Sequence, residues 1–150
     1  MNKKSRILLD AAVDFMQTLH FKAENIMVTG SIALDLQGLL PKEHDVHDVD
    51  LLIKTDEQSW RSLKLLEAIY LSDESNPCKN TYPGSNEVIF KFKDLTLNIW
   101  KNDWKEESSI KDASTGVYVA TANHIIAAKK GYNREKDVRD ICAIVKEILR

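Results

Sequence analysis

Asp48 and Asp50 stand one residue apart at the head of an apolar run, Leu51-Leu52-Ile53, that reads as a buried β-strand. Side chains on a strand alternate faces, so the two carboxylates point the same way, about 7 Å apart by the rise of a strand. Acids that close can hold a divalent cation such as Mg²⁺ or Mn²⁺. Upstream, Asn25 to Thr29 reads as a second strand, running into Gly30-Ser31 at the start of a helix. Backbone N–H groups at a helix start lack intrahelical partners and sit at the positive end of the helix dipole, which suits a phosphate. A cation-holding acid pair beside a phosphate-holding helix start is what the handling of a nucleotide requires. By themselves Gly30 and Ser31 read better as a plain strand-to-helix turn, with Ser31 as N-cap, and it is the acid pair beside them that favours the phosphate role.

Gly30-Ser31, a spacer, and Asp48-Val49-Asp50 on a strand together resemble the signature of the nucleotidyltransferase superfamily. The likeness is to its small bacterial branch, which contains the minimal nucleotidyltransferases and the nucleotidyltransferase-type toxins. The stretch AAKKGYNREKDVRDICAIV, Ala127 to Val145, is similar to the C-terminal element of that branch, a lysine-bearing helix followed by an Arg-x-Lys-Asp turn into a closing helix. Lys129, Arg134, Lys136, Asp137 and Asp140 fall at its positions. The resemblance implies an α/β domain, a nucleoside triphosphate (NTP) as substrate with Mg²⁺ or Mn²⁺, and Lys129 reaching the phosphates. It also implies transfer of a nucleoside monophosphate to a protein side chain, an RNA 3′ end or a small hydroxylated molecule.

The same resemblance implies a third carboxylate from a neighbouring strand. The matching strand here is LTLNIWK, where Leu95, Leu97 and Ile99 face the core and Asn98 faces the other way. An amide neither accepts a proton as a carboxylate does nor brings negative charge to a cation. Two readings stay open: a transferase, or a catalytically degenerate module that keeps the fold and acts through a partner protein. Asp94, in the apparent hairpin turn, is the alternative third acid.

Plainer readings accompany the rest. Lys129, Lys130, Arg134, Lys136 and Arg139 also read as a solvated face paired with Glu135, Asp137 and Asp140, and the two aspartates read as ties between the last helices. His44 and His47 flank the acid pair without the spacing of a zinc site. Phe15, Trp60 and Trp104 read as core and not as a base-stacking platform.

The chain has 150 residues, one domain's length, and its 43% apolar and 29% charged content excludes a disordered or fibrous class. A net charge of −2 argues against non-specific binding of duplex DNA, which calls for a basic surface. Cys78 and Cys142 have no metal-ligand spacing and fit a reduced setting. The N-terminal stretch is amphipathic and broken by Asp10 and Asp14, unlike a signal peptide. No apolar run reaches the roughly 18 residues of a membrane span, so a cytoplasmic protein is expected.

The elements that must position the acids follow from periodicity. A first helix is expected to bury Ile7, Leu8, Ala11, Ala12, Phe15 and Leu19. A second runs from Ile32 to about Leu39, ended by Pro41, and a third to Tyr70 with Trp60, Leu63, Leu66 and Ile69 inward. SDESNPCKNTYPGSNE has the composition of an exposed loop. EVIFKFK and LTLNIWK form a hairpin around Asp94. KNDWKEESSIKDASTG reads as loop with a helical turn near Trp104, and GVYVA as a short strand. Thr121 caps a helix that Gly131 stops, and Asn133 caps the last helix, to Leu149. The order implies a small mixed β-sheet packed by helices in a single domain, residues 1–150.

Overall fold

The first helix buries a stripe turned by about 90° from the expected one. In a computed structural model of the chain, which describes residues 3–41, 44–71, 86–104, 109–132 and 134–150, helix α1 (Lys3–Thr18) buries Leu8, Leu9, Ala12, Val13 and Met16. Ile7 is 58% exposed. The expected stripe left out Leu9, Val13 and Met16, and burying these three removes more apolar surface from water than burying Ile7 and Ala11 would. α1 ends in a Schellman motif: Phe21 N–H donates to Met16 O at 3.0 Å and His20 N–H to Gln17 O at 2.9 Å. His20 takes the left-handed position, φ 67°, that glycine usually fills there.

A 3-10 turn (Ala23–Asn25) leads into strand β1 (Ile26–Thr29), helix α2 (Gly30–Leu36), strand β2 (Asp48–Ile53) and helix α3 (Glu57–Leu71). Strands β3 (Glu87–Lys91), β4 (Thr96–Lys101), β5 (Ser109–Lys111) and β6 (Tyr118–Ala120) follow, then helices α4 (Ala122–Tyr132) and α5 (Glu135–Ile148). The six strands lie in the order β3-β4-β2-β1-β6-β5. β1 runs antiparallel to β2 and parallel to β6, β2 runs parallel to β4, and the outer pairs β3/β4 and β5/β6 are antiparallel. This is the mixed α/β sheet with helices that the element order implies. Val28, Val49, Leu51, Ile53, Leu97 and Ile99 of the middle strands are fully buried, with α1 and α2 packed on β2 and α3 on β3.

Several boundaries differ from expectation for local reasons. α2 stops at Leu36, short of Leu39 and Pro41, because Gly38 adopts φ 72°. That conformation lets Leu39 N–H reach Leu34 O at 2.9 Å, a second Schellman ending. α4 continues through Gly131, which does not stop it. Its start is as expected, with His124 N–H donating to Thr121 Oγ1 at 3.3 Å. α5 begins after Arg134, and the expected cap Asn133 lies outside the described residues, as do residues 72–85 of the expected exposed loop. Trp104 is buried, with Lys54 Nζ 4.5 Å from its ring centre, and residues 105–108, where the expected helical turn would continue, lie outside the described residues. The segment beyond it contributes β5, a strand that three residues with an exposed Ile110 do not announce. Arg6 of α1 clamps the β5–β6 turn through two bonds of 3.0 Å to Asp112. Among the described residues no helix is long and apolar enough to cross a membrane.

In α3, Trp60 and Leu63 are buried as expected, but Ile69 is exposed and Glu67 is buried. Its carboxylate accepts the backbone N–H of Ile89 at 2.6 Å, on the side of β3 that has no neighbouring strand among the described residues. A charged acceptor thus covers part of an edge that would otherwise offer an unpaired donor. Glu67→Ala should cost about 1–3 kcal/mol, the penalty of stranding a donor, read as a lower urea midpoint with an unchanged slope.

Candidate nucleotide site

Three strands in register bring the site together. Thr29 of β1 pairs with Asp50 of β2, and Asp50 pairs with Asn98 of β4. Along β2 the burial alternates: Val49, Leu51 and Ile53 point into the core, while Asp48 is exposed and Asp50 half-buried on the opposite face. The sheet order thereby places Asn98 beside Asp50, on the side away from the core that alternation predicts. Its Nδ2 donates to Asp50 Oδ1 at 2.9 Å. Asp94 sits exposed in the bend between β3 and β4. Among the described residues no group of three or more His, Cys, Asp or Glu side chains could hold a metal ion.

Gly30 follows β1 directly and adopts φ 66°, a left-handed conformation. A Cβ built on it would collide with the Asp50 carboxylate, so the turn backbone and this acid lie in direct contact. Ser31 is not an N-cap: that position is Thr29, and Ser31 lies in the first turn of the helix. Its hydroxyl meets His44 Nε2 at 3.1 Å. His47 pairs instead with Asp45 at 3.0 Å. Gly30, Ser31, His44, Asp48, Asp50 and Lys129 all line one cleft of 390 Å³, closed on its far side by Lys136, Asp140 and Ile144 of α5. A larger hollow of 550 Å³ at the opposite end of β2, lined by His20, Lys22 and Lys54, has no comparable acid pair.

Lys129 is held at this cleft by Asp140, with Nζ 3.0 Å from its carboxylate, so α4 and α5 are tied as expected. Asp137 is buried and accepts from Arg134 Nε at 2.6 Å and from its backbone N–H at 3.2 Å. It organises the start of α5 and does not face the cleft. Sequence reasoning missed the contacts of Ser31 with His44 and of Gly30 with Asp50, because both cross between segments whose approach no local pattern encodes.

Burial pushes the Asp50 carboxyl above the ordinary carboxylate range; the Asn98 amide pulls it down, Asp48 adds repulsion and Lys129 opposes it. The folded chain therefore holds this proton more tightly than the unfolded one. The stabilisation is fully present below the ordinary Asp range and is lost as pH rises through the raised folded value. An acid strained in this way by burial and a like-charged neighbour suits a cation, which would relieve both. Asp48 and Asp50 are the carboxylates here that could hold a divalent cation, while Asn98 turns its amide nitrogen toward Asp50.

No protein-family model matches the chain, and no curated protein does. A solved structure described as that of a putative nucleotidyltransferase from Thermotoga maritima matches with a TM-score of 0.54 and 15% identity, covering 98% of this chain and 96% of that one. At that identity the likeness carries the fold alone: the chain has a nucleotidyltransferase-like architecture from end to end.

Two expectations follow. Asp50→Asn should raise the melting temperature at neutral pH, and the gain should shrink as the pH is lowered toward the ordinary Asp range, measured by calorimetry across a pH series. Gly30→Ala should cost about 2–4 kcal/mol, because a strained φ and a steric clash add. Gly38→Ala, at a similar φ with open space around it, should cost only about 1 kcal/mol. Equal urea midpoints for the two would show that the Asp50 contact does not constrain the turn.

Proposed function

We propose that the chain binds an NTP with Mg²⁺ or Mn²⁺ in this cleft and transfers a nucleoside monophosphate, slowly, to an acceptor hydroxyl on a protein, an RNA 3′ end or a small molecule. The observation that carries the reading is the convergence of Asp48 and Asp50 from β2, Gly30 and Ser31 from the β1–α2 turn and Lys129 from α4 on one cleft. In the transfer the hydroxyl oxygen bonds to the α-phosphorus as its proton passes to solvent water, the bond to the bridging oxygen breaks, and pyrophosphate leaves. A divalent cation, when bound, neutralises charge on the phosphate oxygens. Asp48 and Asp50 would hold it. Ser31 donates its hydroxyl to a phosphate oxygen, and the bare Gly30 lets the phosphates approach the turn. Lys129 exchanges the Asp140 carboxylate for phosphate, one anion for another.

Asn98 sets the rate. Its amide donates to Asp50, offers no proton acceptor for the attacking hydroxyl and no charge for a second cation. That bond also supports a second reading, a degenerate module that binds NTP without turnover and acts through a partner protein. In either reading the setting is cytoplasmic, and a toxin-like role belongs to the first.

Calorimetric titration with each NTP and Mg²⁺, together with transfer of label from α-phosphate-labelled NTP into a cell lysate, tests both readings. Replacing Asp48 and Asp50 by Ala should abolish Mg²⁺-dependent affinity, and unchanged affinity would remove both readings. Lys129→Ala should weaken binding about tenfold and Lys130→Ala little, since neighbouring helical residues point about 100° apart. Asn98→Asp should raise transfer by about 10²-fold. Tight binding with no transfer by either form would favour the degenerate module.

A further inference from the structure

Helix α5 presents two faces of different kinds. One carries Lys136, Asp140, Ala143 and Ile144 to the cleft. The other carries Val138, Ile141, Val145 and Ile148, spaced by three, four and three residues, the repeat with which one helix packs along another. Val138, Val145, Ile148 and the following Leu149 are 39% to 79% exposed, and Cys142, within the same stripe, is exposed as well. A contiguous apolar stripe of this length on an exposed helix marks an interaction surface.

We infer that this stripe pairs with the same stripe of a second copy of the chain, the two α5 helices running antiparallel. The charges beside the stripe choose both occupant and direction. At 100° per residue, Glu135 and Lys146 fall on the same flank, one near each end of the helix. Neither has an ion-pair partner among the described residues. Antiparallel pairing lays each Glu135 beside Lys146 of the second copy, twice by symmetry. Parallel pairing puts this flank of the two helices on opposite sides of the seam, so that Glu135 and Lys146 do not meet.

The shape agrees. A depression of 250 Å³ between α4 and α5, lined by Lys129, Lys130, Val138, Ile141 and Cys142, lies at the N-terminal half of the stripe. With Glu135 opposite Lys146, it faces the middle of the other helix, where Ile141 lies on the stripe. An anionic membrane surface is the poorer occupant, because α5 carries four acidic and three basic residues and membrane-surface helices are rich in Lys and Arg. The cleft residues of α5 lie on its opposite side, and Lys129 of α4 lines both the cleft and the depression.

Sedimentation analysis over a concentration series tests the inference. Wild type should sediment at twice 17.1 kDa, and Val145→Asp at the single-chain mass with an unchanged far-ultraviolet spectrum. Glu135→Lys should weaken the dimer about tenfold, and adding Lys146→Glu should restore it. This charge exchange lies on the surface and keeps the test decisive if Val145→Asp fails to fold. A single-chain mass for wild type at every concentration overturns the inference, as does a dimer that Val145→Asp leaves intact. Flotation of single-chain protein with phosphatidylserine vesicles would assign the stripe to lipid and overturn it too. A double charge variant no tighter than Glu135→Lys alone overturns the antiparallel direction.

Discussion

Parallel pairing of β2 with β4 is the constraint on which the cleft depends. It puts Asn98 beside Asp50, and the antiparallel β1 on the other side puts the Thr29–Gly30 junction there too. One row across three strands therefore defines the acid, its amide neighbour and the backbone turn. A shift of one residue in β2 would exchange Asp48 and Asp50 for Val49 and Leu51, turning the acids into the core. The fully buried Val49, Leu51 and Ile53 forbid that shift. The hydrophobic effect thus sets the position of the charged groups, although none of its energy comes from them.

The electrostatics of the cleft work against the resting fold. Asp50 is half-buried, close to Asp48 and pressed on the Gly30 backbone, and its proton is held more tightly for those reasons. Asn98 relieves part of this by donating a hydrogen bond, at 2.9 Å, where a third carboxylate would have added repulsion. An amide at this position thus makes the site easier to fold than a carboxylate would. Lys129 supplies the balancing positive charge but is itself held by Asp140, so the cleft has no uncommitted cation at that position.

Much of this arrangement was legible in the residues. The face shared by Asp48 and Asp50, the Asn98 position and the α4–α5 tie through Asp140 all follow from periods of 2 and 3.6 combined with the family resemblance. Other features were not legible, for identifiable reasons. The α1 stripe was ambiguous because apolar residues run around more than half of that helix, and only the sheet decides which of them it covers. The early end of α2 came from Gly38 outcompeting Pro41 as a stop. β5 is too short and too exposed to show alternation. The bond from Ser31 to His44 and the contact of Gly30 with Asp50 depend on the approach of distant segments, which no window of sequence contains.

The strand order also sets a timetable. The acids and the glycine turn all lie within the first 54 residues, yet the bond from Asp50 to Asn98 spans 48 positions, and β1 gains its parallel neighbour only at Tyr118. Contacts so distant in sequence carry a loop-closure cost before they contribute anything, and they slow folding. During synthesis the ribosome releases the acidic half of the cleft well before the strand that shields it or the helix that carries its lysine. The growing chain must therefore pass through an interval in which an apolar β1–β2 pair has open edges on both sides, the stage most open to misassociation and to capture by chaperones.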